Sequence, residues 1–150
     1  MRRKDPIYPK VMFENCPIRA SLGCLGRKWA LLVMRDVSFF APITFTQIMR
    51  QNPGLTPRVL SMRLKDLQGE GLIERTKDAK TGEDLGWQLT KVGTDAVPIL
   101  TAFIQFGIRH HADEVFKDDR PRSLAEVFPD RRDYMLQRLL PYAKHWSGKD

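Results

Sequence analysis

The run from Gly54 to Leu67, GLTPRVLSMRLKDL, sets hydrogen-bonding and cationic side chains at regular spacing along one helix. At roughly 100° per residue, Leu60, Leu64 and Leu67 line one side, while Arg58, Ser61, Met62 and Lys65 project to the other. Thr56 can accept a hydrogen bond from an orphan N–H of the first turn. Pro57 suits the first helical position, where its missing N–H is no loss. The chemistry open to the polar side is nucleic-acid contact. A guanidinium such as that of Arg58 can donate two bonds to a guanine edge, and a hydroxyl such as that of Ser61 can reach a base or a phosphate. Lys65, Arg63, Lys28, Lys77 and Lys80 suit phosphate neutralisation, which positions without specifying. A cap, a buried leucine stripe and a basic outer face describe a recognition helix for a DNA major groove. A solvated surface helix would carry the same marks.

The flanking elements must hold that helix in place. Gly71 is a stop signal for it. Leu72 and Ile73 open a short strand, residues 77–84 are a polar loop with Gly82 at a turn, and 85–90 alternate as a half-buried strand does. Helix, strand, polar hairpin and strand make the second half of a winged helix-turn-helix, with the loop as wing. Upstream, Pro17 predicts a helix running to about Leu25 and ended by Gly26. A second helix is predicted from Trp29 to about Phe40, with Trp29, Leu32, Val33, Val37 and Phe40 as its apolar pattern. Pro42 stops it, Thr44 caps a third helix with Phe45, Ile48 and Met49, and Asn52-Pro53-Gly54 turns the chain into the Thr56 helix. After Thr90 one long apolar helix is predicted to about His111, kinked or relieved of one hydrogen bond at Pro98. Its greasiness on more than one side calls for a second subunit.

The fold class read from this pattern is mostly α with a small β-hairpin: a winged helix-turn-helix with extra C-terminal helices. Residues 1–15 read as an arm, 16–112 as the DNA-binding and dimerisation domain, and 113–150 as a helical extension. Within that extension a turn is expected over 123–128 and a final helix after Asp130 carrying Met135, Leu136, Leu139, Leu140, Ala143 and Trp146.

Composition narrows the partners. The 150 residues carry a formal net charge of +7. Residues 113–150 are balanced, eight Lys/Arg against eight Asp/Glu, so the whole excess lies in residues 1–112. A basic excess favours a polyanion. No apolar run approaches the ~20 residues of a membrane span, and no signal segment follows the basic start, so a cytoplasmic protein is expected. Two cysteines, Cys16 and Cys24, are too few for a disulfide framework. There is no phosphate loop, no Gly-x-Ser-x-Gly and no coherent nucleophile–base set, so no enzyme is expected. His110 and His111 point about 100° apart on a helix, which disfavours one shared metal ion; no metal and no cofactor is expected. Cys16 stands just before a helix N-terminus with Arg19 nearby, an environment that stabilises thiolate and favours oxidation. A small buried residue at a dimer contact is the other reading. Cys24 reads as packing.

Several ordered pieces resemble the HxlR-type family of winged-helix transcriptional regulators. Cys16-Pro17-Ile18 resembles its Cys-Pro near the start. Leu25-Gly26-Arg27-Lys28-Trp29 resembles its Gly-Gly-Lys-Trp element, with Arg27 in place of the second Gly. Phe45-Thr46-Gln47-Ile48 is similar to its Phe-x-Glu-Leu, and the segment from Leu55 to Ser61 to its Ile-Ser-x-Arg-x-Leu-Thr. Leu67-x-x-Glu70-Gly71-Leu72-Ile73 and Trp87-Gln88-Leu89-Thr90-x-x-Gly93 follow its wing-flanking pattern. Val97-Pro98-Ile99-Leu100 through Phe106-Gly107 resembles its last helix, with Phe106 where Trp is usual. The resemblance covers roughly residues 13–112. It implies homodimers, joined through the first helix and the long helix after the wing, that bind operator DNA and repress or activate nearby genes. It also implies, for some members, sensing of electrophiles or oxidants through the Cys before the Pro. Two features depart from the pattern: the acids Asp78, Glu83 and Asp84 on the wing, which would repel phosphate, and residues 113–150, which run past the family's usual end.

The expected partners are double-stranded DNA, a second copy of the chain and a small-molecule or oxidant effector. The DNA-binding set is Thr56, Pro57, Arg58, Ser61, Met62, Lys65, Lys28, Lys77 and Lys80, and Cys16 is the redox-sensing candidate. Two alternatives stand beside this reading: a winged helix used for protein–protein contact, and a regulator answering a small molecule bound between the long helix and the DNA-binding unit.

Overall fold

The computed structural model describes residues 10–127. Eight helices and one hairpin follow in order: α1 (Pro17–Leu25), α2 (Ala30–Phe40), α3 (Phe45–Gln51), α4 (Pro57–Gly69), β1 (Ile73–Lys77), β2 (Asp84–Leu89), α5 (Lys91–Asp95), α6 (Val97–His110), α7 (Ala112–Val115) and α8 (Leu124–Val127). The boundaries have local causes. Pro17 opens α1. Thr44 and Gln47 form a reciprocal capping box at α3. The Thr56 hydroxyl accepts from the Val59 N–H at 3.3 Å, and Pro57 begins α4. At the far end of α4 the Leu72 N–H donates to Leu67 O and the Gly71 N–H to Gln68 O. With Gly71 at φ +73°, this is a Schellman stop.

The sheet is a two-stranded antiparallel ladder pairing Ile73 with Leu89 and Arg75 with Trp87, with an irregularity between Thr76 and Lys77. The segment before α3 joins it: Ile43 and Trp87 exchange N–H···O bonds of 3.1 and 2.8 Å. Gly86 makes that approach feasible. At φ +106° a Cβ there would stand 2.2 Å from Ile43 O, so a side chain would push the hairpin off the helices.

The core is laid down by α2. Ala30, Val33, Met34 and Val37 are fully buried, and the last three pack with Ile48 of α3, the Leu60, Leu64 and Leu67 stripe of α4, Ile73 and Trp87. Leu32 and Phe40, expected within the apolar pattern of this helix, are exposed. They lie one position off the buried stripe, about 100° around the axis, and Leu32 instead lines a cleft described below. The single long helix expected after Thr90 is two helices. Thr90 does cap the first, accepting from Gly93 N at 3.0 Å. The chain then turns at Ala96, and Pro98 sits in the first turn of α6. A proline at that site has no N–H to close the α5 ladder, so a new helix starts there. Of the turn expected over 123–128, Leu124–Val127 form α8, capped by the Ser123 hydroxyl accepting from Glu126 N at 3.2 Å. The final helix expected after Asp130 lies outside the described residues.

One buried polar node sits under the turn between α3 and α4. Asp36 is wholly buried. Its Oδ2 accepts from Asn52 Nδ2 at 2.6 Å, and its Oδ1 from Arg35 Nε at 2.8 Å. Arg35 also donates to Asn52 Oδ1 at 3.1 Å, and Asn52 Nδ2 to Ile48 O at 2.8 Å. Each polar group is satisfied, which is what makes its burial tolerable. Asp36→Ala strips partners from Asn52 and Arg35 together. Urea unfolding should show a loss of about 2–3 kcal/mol, while Asp95→Ala at the exposed end of α5 should stay within about 0.5 kcal/mol of the parent. An unchanged midpoint for Asp36→Ala would contradict the role given to this node.

Candidate nucleic-acid interface

The rotation of α4 is set by its leucines, and that decides what faces outward. Leu60, Leu64 and Leu67 are 0, 4 and 0 % exposed. Thr56, Pro57, Arg58, Ser61, Met62 and Lys65 are all exposed, so the helix carries its hydroxyls and two cations on one free face. Lys28 is exposed in the turn between α1 and α2, its ammonium 5.8 Å from the Trp29 ring centre. That turn touches α4: Arg63 Nε donates to Lys28 O at 2.8 Å. Lys28 therefore stands beside the middle of α4, and Lys65 shares a polar cleft with Arg27 of the same turn.

Arg63 does not belong to the outward set. Its side chain is 13 % exposed, and its guanidinium is held between Lys28 O and the Asp66 carboxylate at 2.7 Å. Three residues past Leu60, it lies at the border of the buried stripe, so its role as a phosphate neutraliser gives way to a structural one.

The wing runs from Lys77, exposed at the end of β1, to Asp84. Lys80 is exposed in its turn. The acids expected to repel phosphate also build this turn. Asp78 Oδ1 accepts the N–H groups of Lys80 and Thr81, both at 2.8 Å. The Thr81 and Lys80 N–H groups hold its carboxyl below the usual carboxylate range. Asp84 is paired with Arg75, which likewise lowers its pKa, helped by the Gly86 N–H. Arg75 also lies over the Trp87 ring, 4.9 Å from its centre. Sequence reasoning missed Arg75. The alternation of β1 and β2 would have placed it opposite Trp87, had the register been known.

The other candidate features lie away from this face. Cys16 is exposed at the N-cap of α1, with no side-chain cap bond. Cys24 is buried, and burial pushes its thiol pKa up, with Glu70 and Asp66 adding to the shift. His111 Nδ1 lies 3.3 Å from Glu114. A cleft of about 590 Å³ opens between α1, α2 and α6, walled by Ile18, Leu22, Trp29, Leu32, Ile99 and Phe103. Ile18, Leu22 and Phe103 are more than half exposed at its rim. No helix among the described residues is long and apolar enough to cross a membrane.

A capped, outward-facing helix after a tight turn, followed by a two-stranded hairpin, defines a winged helix-turn-helix protein of the DNA-binding, transcription-regulating kind. The sequence model of the HxlR-like helix-turn-helix family matches residues 24–115, and the chain belongs to that family. It is similar to an uncharacterized HTH-type transcriptional regulator of Halalkalibacterium halodurans, BH0655, with 26% identity over 65% of this chain and 86% of that one. Similarity to the uncharacterized HTH-type transcriptional regulator YybR of Bacillus subtilis is 27% over 71% of this chain and 83% of that one. Among solved structures, a protein described as a MarR-family transcriptional regulator from Porphyromonas gingivalis W83 superposes with a TM-score of 0.58 at 28% identity. That match covers 68% of this chain and 99% of the other.

The two thiols should part in reactivity. A thiol reagent at neutral pH should label one cysteine per chain quickly and the second only on unfolding, and Cys16→Ser should abolish the fast phase. Fast labelling that survives Cys16→Ser would place the reactive thiol at Cys24 instead.

Proposed function

We propose that the protein is a sequence-specific regulator that binds a near-palindromic operator as a homodimer, with α4 in the major groove. The observation that carries this reading is the outward face of α4: Arg58, Ser61, Met62 and Lys65 stand free over three buried leucines. Arg58 is the base-reading residue and Ser61 its neighbour on a base edge or phosphate. Met62 makes apolar contact, and Thr56 and Pro57 bring the helix N-terminus to the backbone. Lys65, Lys28, Lys77 and Lys80 neutralise phosphates. The net charge of +7 supports the same partner. Residues 16–112 form the DNA-binding and dimerisation unit, 1–15 an arm and 113–150 an extension. Such a protein works where the genome is, in the cytoplasm.

Dimerisation rests on the apolar rim of the cleft between α1, α2 and α6, where Ile18, Leu22, Leu32 and Phe103 stay exposed. That much apolar surface in one place is uncommon on a monomer. A second copy placed there would set the two α4 helices about one DNA turn apart, roughly 34 Å. Sedimentation at micromolar concentration should give a dimer, and one chain per operator would count against it.

Selection from random duplexes should return a preferred sequence. On it, Arg58→Ala should cost about 1–3 kcal/mol and relax preference at one position. Lys65→Ala and Lys77→Ala should weaken all sequences alike and flatten the salt dependence by about one ion each. No enriched sequence, or a preference untouched by Arg58→Ala, defeats the reading.

A regulated form of the same function draws on one observation, the exposed Cys16 at the start of α1. An oxidant or electrophile acting there would move the helix that joins the subunits. Wild-type protein treated with a mild oxidant should then lose operator affinity and Cys16→Ser should keep it. Equal binding by oxidised and reduced protein would remove Cys16 from any sensing role.

A further inference from the structure

We infer that Arg27 is a positioning residue for the recognition helix, locking α4 to the turn that leaves α1. The inference rests on the operator-binding reading above. Arg27 stands where the resembled family pattern has its second Gly, so it adds a side chain where that pattern has none. Its Nη1 bonds Asp66 Oδ2 of α4 at 3.0 Å, and its Nε lies 3.3 Å from Gly23 O in the last turn of α1. The contact is answered from the other side. Arg63 of α4 reaches back to Lys28 O at 2.8 Å and shares the same Asp66 oxygen at 2.7 Å. One carboxylate oxygen thus takes two guanidinium groups, one from each element. The backbone of the turn is gripped from α4, and α4 is gripped from the turn.

Geometry gives this clasp leverage over base reading. Asp66 lies near the C-terminal end of α4, and Arg58 near its start, roughly 12 Å along the axis at 1.5 Å per residue. A tilt of about 10° at the clasp moves Arg58 by roughly 2 Å, enough to lose a hydrogen bond to a base. Hydrophobic contact sets which face of α4 is buried but resists such a tilt weakly, because it has no preferred direction. Directional bonds from two sides resist it well. Arg27 is half exposed, 52 % for its side chain, against 26 % for Asp66. It therefore contributes little to the core and its removal should leave the fold intact.

Arg27 is also a cation near the DNA face, so a phosphate contact is the rival role, and the two predict opposite patterns. Full-length wild type, Arg27→Gly, Arg27→Lys and Asp66→Asn should be titrated with the selected operator and with a random-sequence duplex over a salt series. Residual dipolar couplings of the α1 and α4 amides in the free protein give the angle between the two helices. Positioning predicts that Arg27→Gly lowers the ratio of operator to random affinity about fivefold, the scale of one partly exposed ion pair, with an unchanged salt slope. Arg27→Lys, which keeps a charge within reach of Asp66, should recover most of the ratio. Asp66→Asn should lower the ratio too, although removing an acid near DNA would by charge alone favour every duplex. The α1–α4 angle should shift or be averaged in Arg27→Gly. The inference is overturned if Arg27→Gly weakens both duplexes equally with a slope shallower by about 0.9, the signature of one lost phosphate contact. It is equally overturned if affinity ratio and helix angle both match wild type. If the wild type prefers no sequence at all, operator binding fails, and the helix angle still decides whether Arg27 holds α4.

Discussion

Everything the interface offers depends on the packing of α4 against α2 through Leu60, Leu64 and Leu67. Burying three leucines and exposing Arg58, Ser61, Met62 and Lys65 are one event, because the two sets are fixed about 100–200° apart on the same cylinder. Rotating the helix to hide Arg58 would withdraw the leucines from the core, each worth about 2–5 kcal/mol when truncated to Ala. It would also bury a cation without a partner. The polar face is therefore presented by the core, ahead of any contact with a ligand. That is the preorganisation which keeps the entropic cost of binding low.

Apolar packing leaves two degrees of freedom open, tilt and sliding, and the polar ties close them. At its N-terminal end α4 follows a turn anchored by Asn52, whose side chain is held by the buried Asp36 carboxylate and by Ile48 O. Toward its C-terminal end the Arg63–Asp66 pair meets Lys28 O and Arg27. Past that end the Schellman bonds send the chain directly into β1. The strands are tied back through Trp87 and Ile43 to the segment that leads into α3. Helix, turn and wing thus form a closed circuit of hydrogen bonds around a single leucine seam. A charged network at its base costs desolvation, and its return is directionality rather than net stability.

What was legible in the sequence was what is written locally. Thr44, Thr56 and Thr90 cap where their side chains allow, Gly71 stops α4, and the leucine period fixes its buried face, because each depends on residues within a turn of one another. Membership of the family and the winged architecture followed from their order. What was missed depends on partners distant in the chain. Arg63 passed for a surface cation because its acceptor, Lys28 O, lies 35 positions away. Asp36 gave no sign of burial because Asn52 comes from the turn after α3, 16 positions away. Leu32 and Phe40 belong to the apolar pattern of α2 yet stand exposed: apolar residues suit a core or a subunit contact equally well. Pro98 does more than the kink or lost hydrogen bond expected of it, because a new helix starts there. Of the DNA set, the geometry brings Lys28 and Lys65 to the α4 neighbourhood, and it leaves Lys77 and Lys80 on the hairpin.

The acids of the wing show how a charge count misleads at this scale. Asp78, Glu83 and Asp84 against Arg75, Lys77 and Lys80 make a wing near neutrality, which argues against DNA only if every charge is free to act at a distance. Asp84 is matched by Arg75 at contact range, and the pair presents a dipole whose field falls off faster than a charge's. Asp78 stays ionised, but it is turned toward the N–H groups of Lys80 and Thr81. In doing so it holds the turn from which the Lys80 side chain projects. The wing is therefore a scaffold for two lysines that adds little net attraction of its own. On the proposed operator-binding reading, the long-range pull on a polyanion would fall to the cations of residues 1–112, with α4 and the α1–α2 turn offering Arg58, Lys65 and Lys28. On the same reading, sequence discrimination would reside in the exposed side chains of α4, and the precision of their placement is a property of the ties that hold that helix.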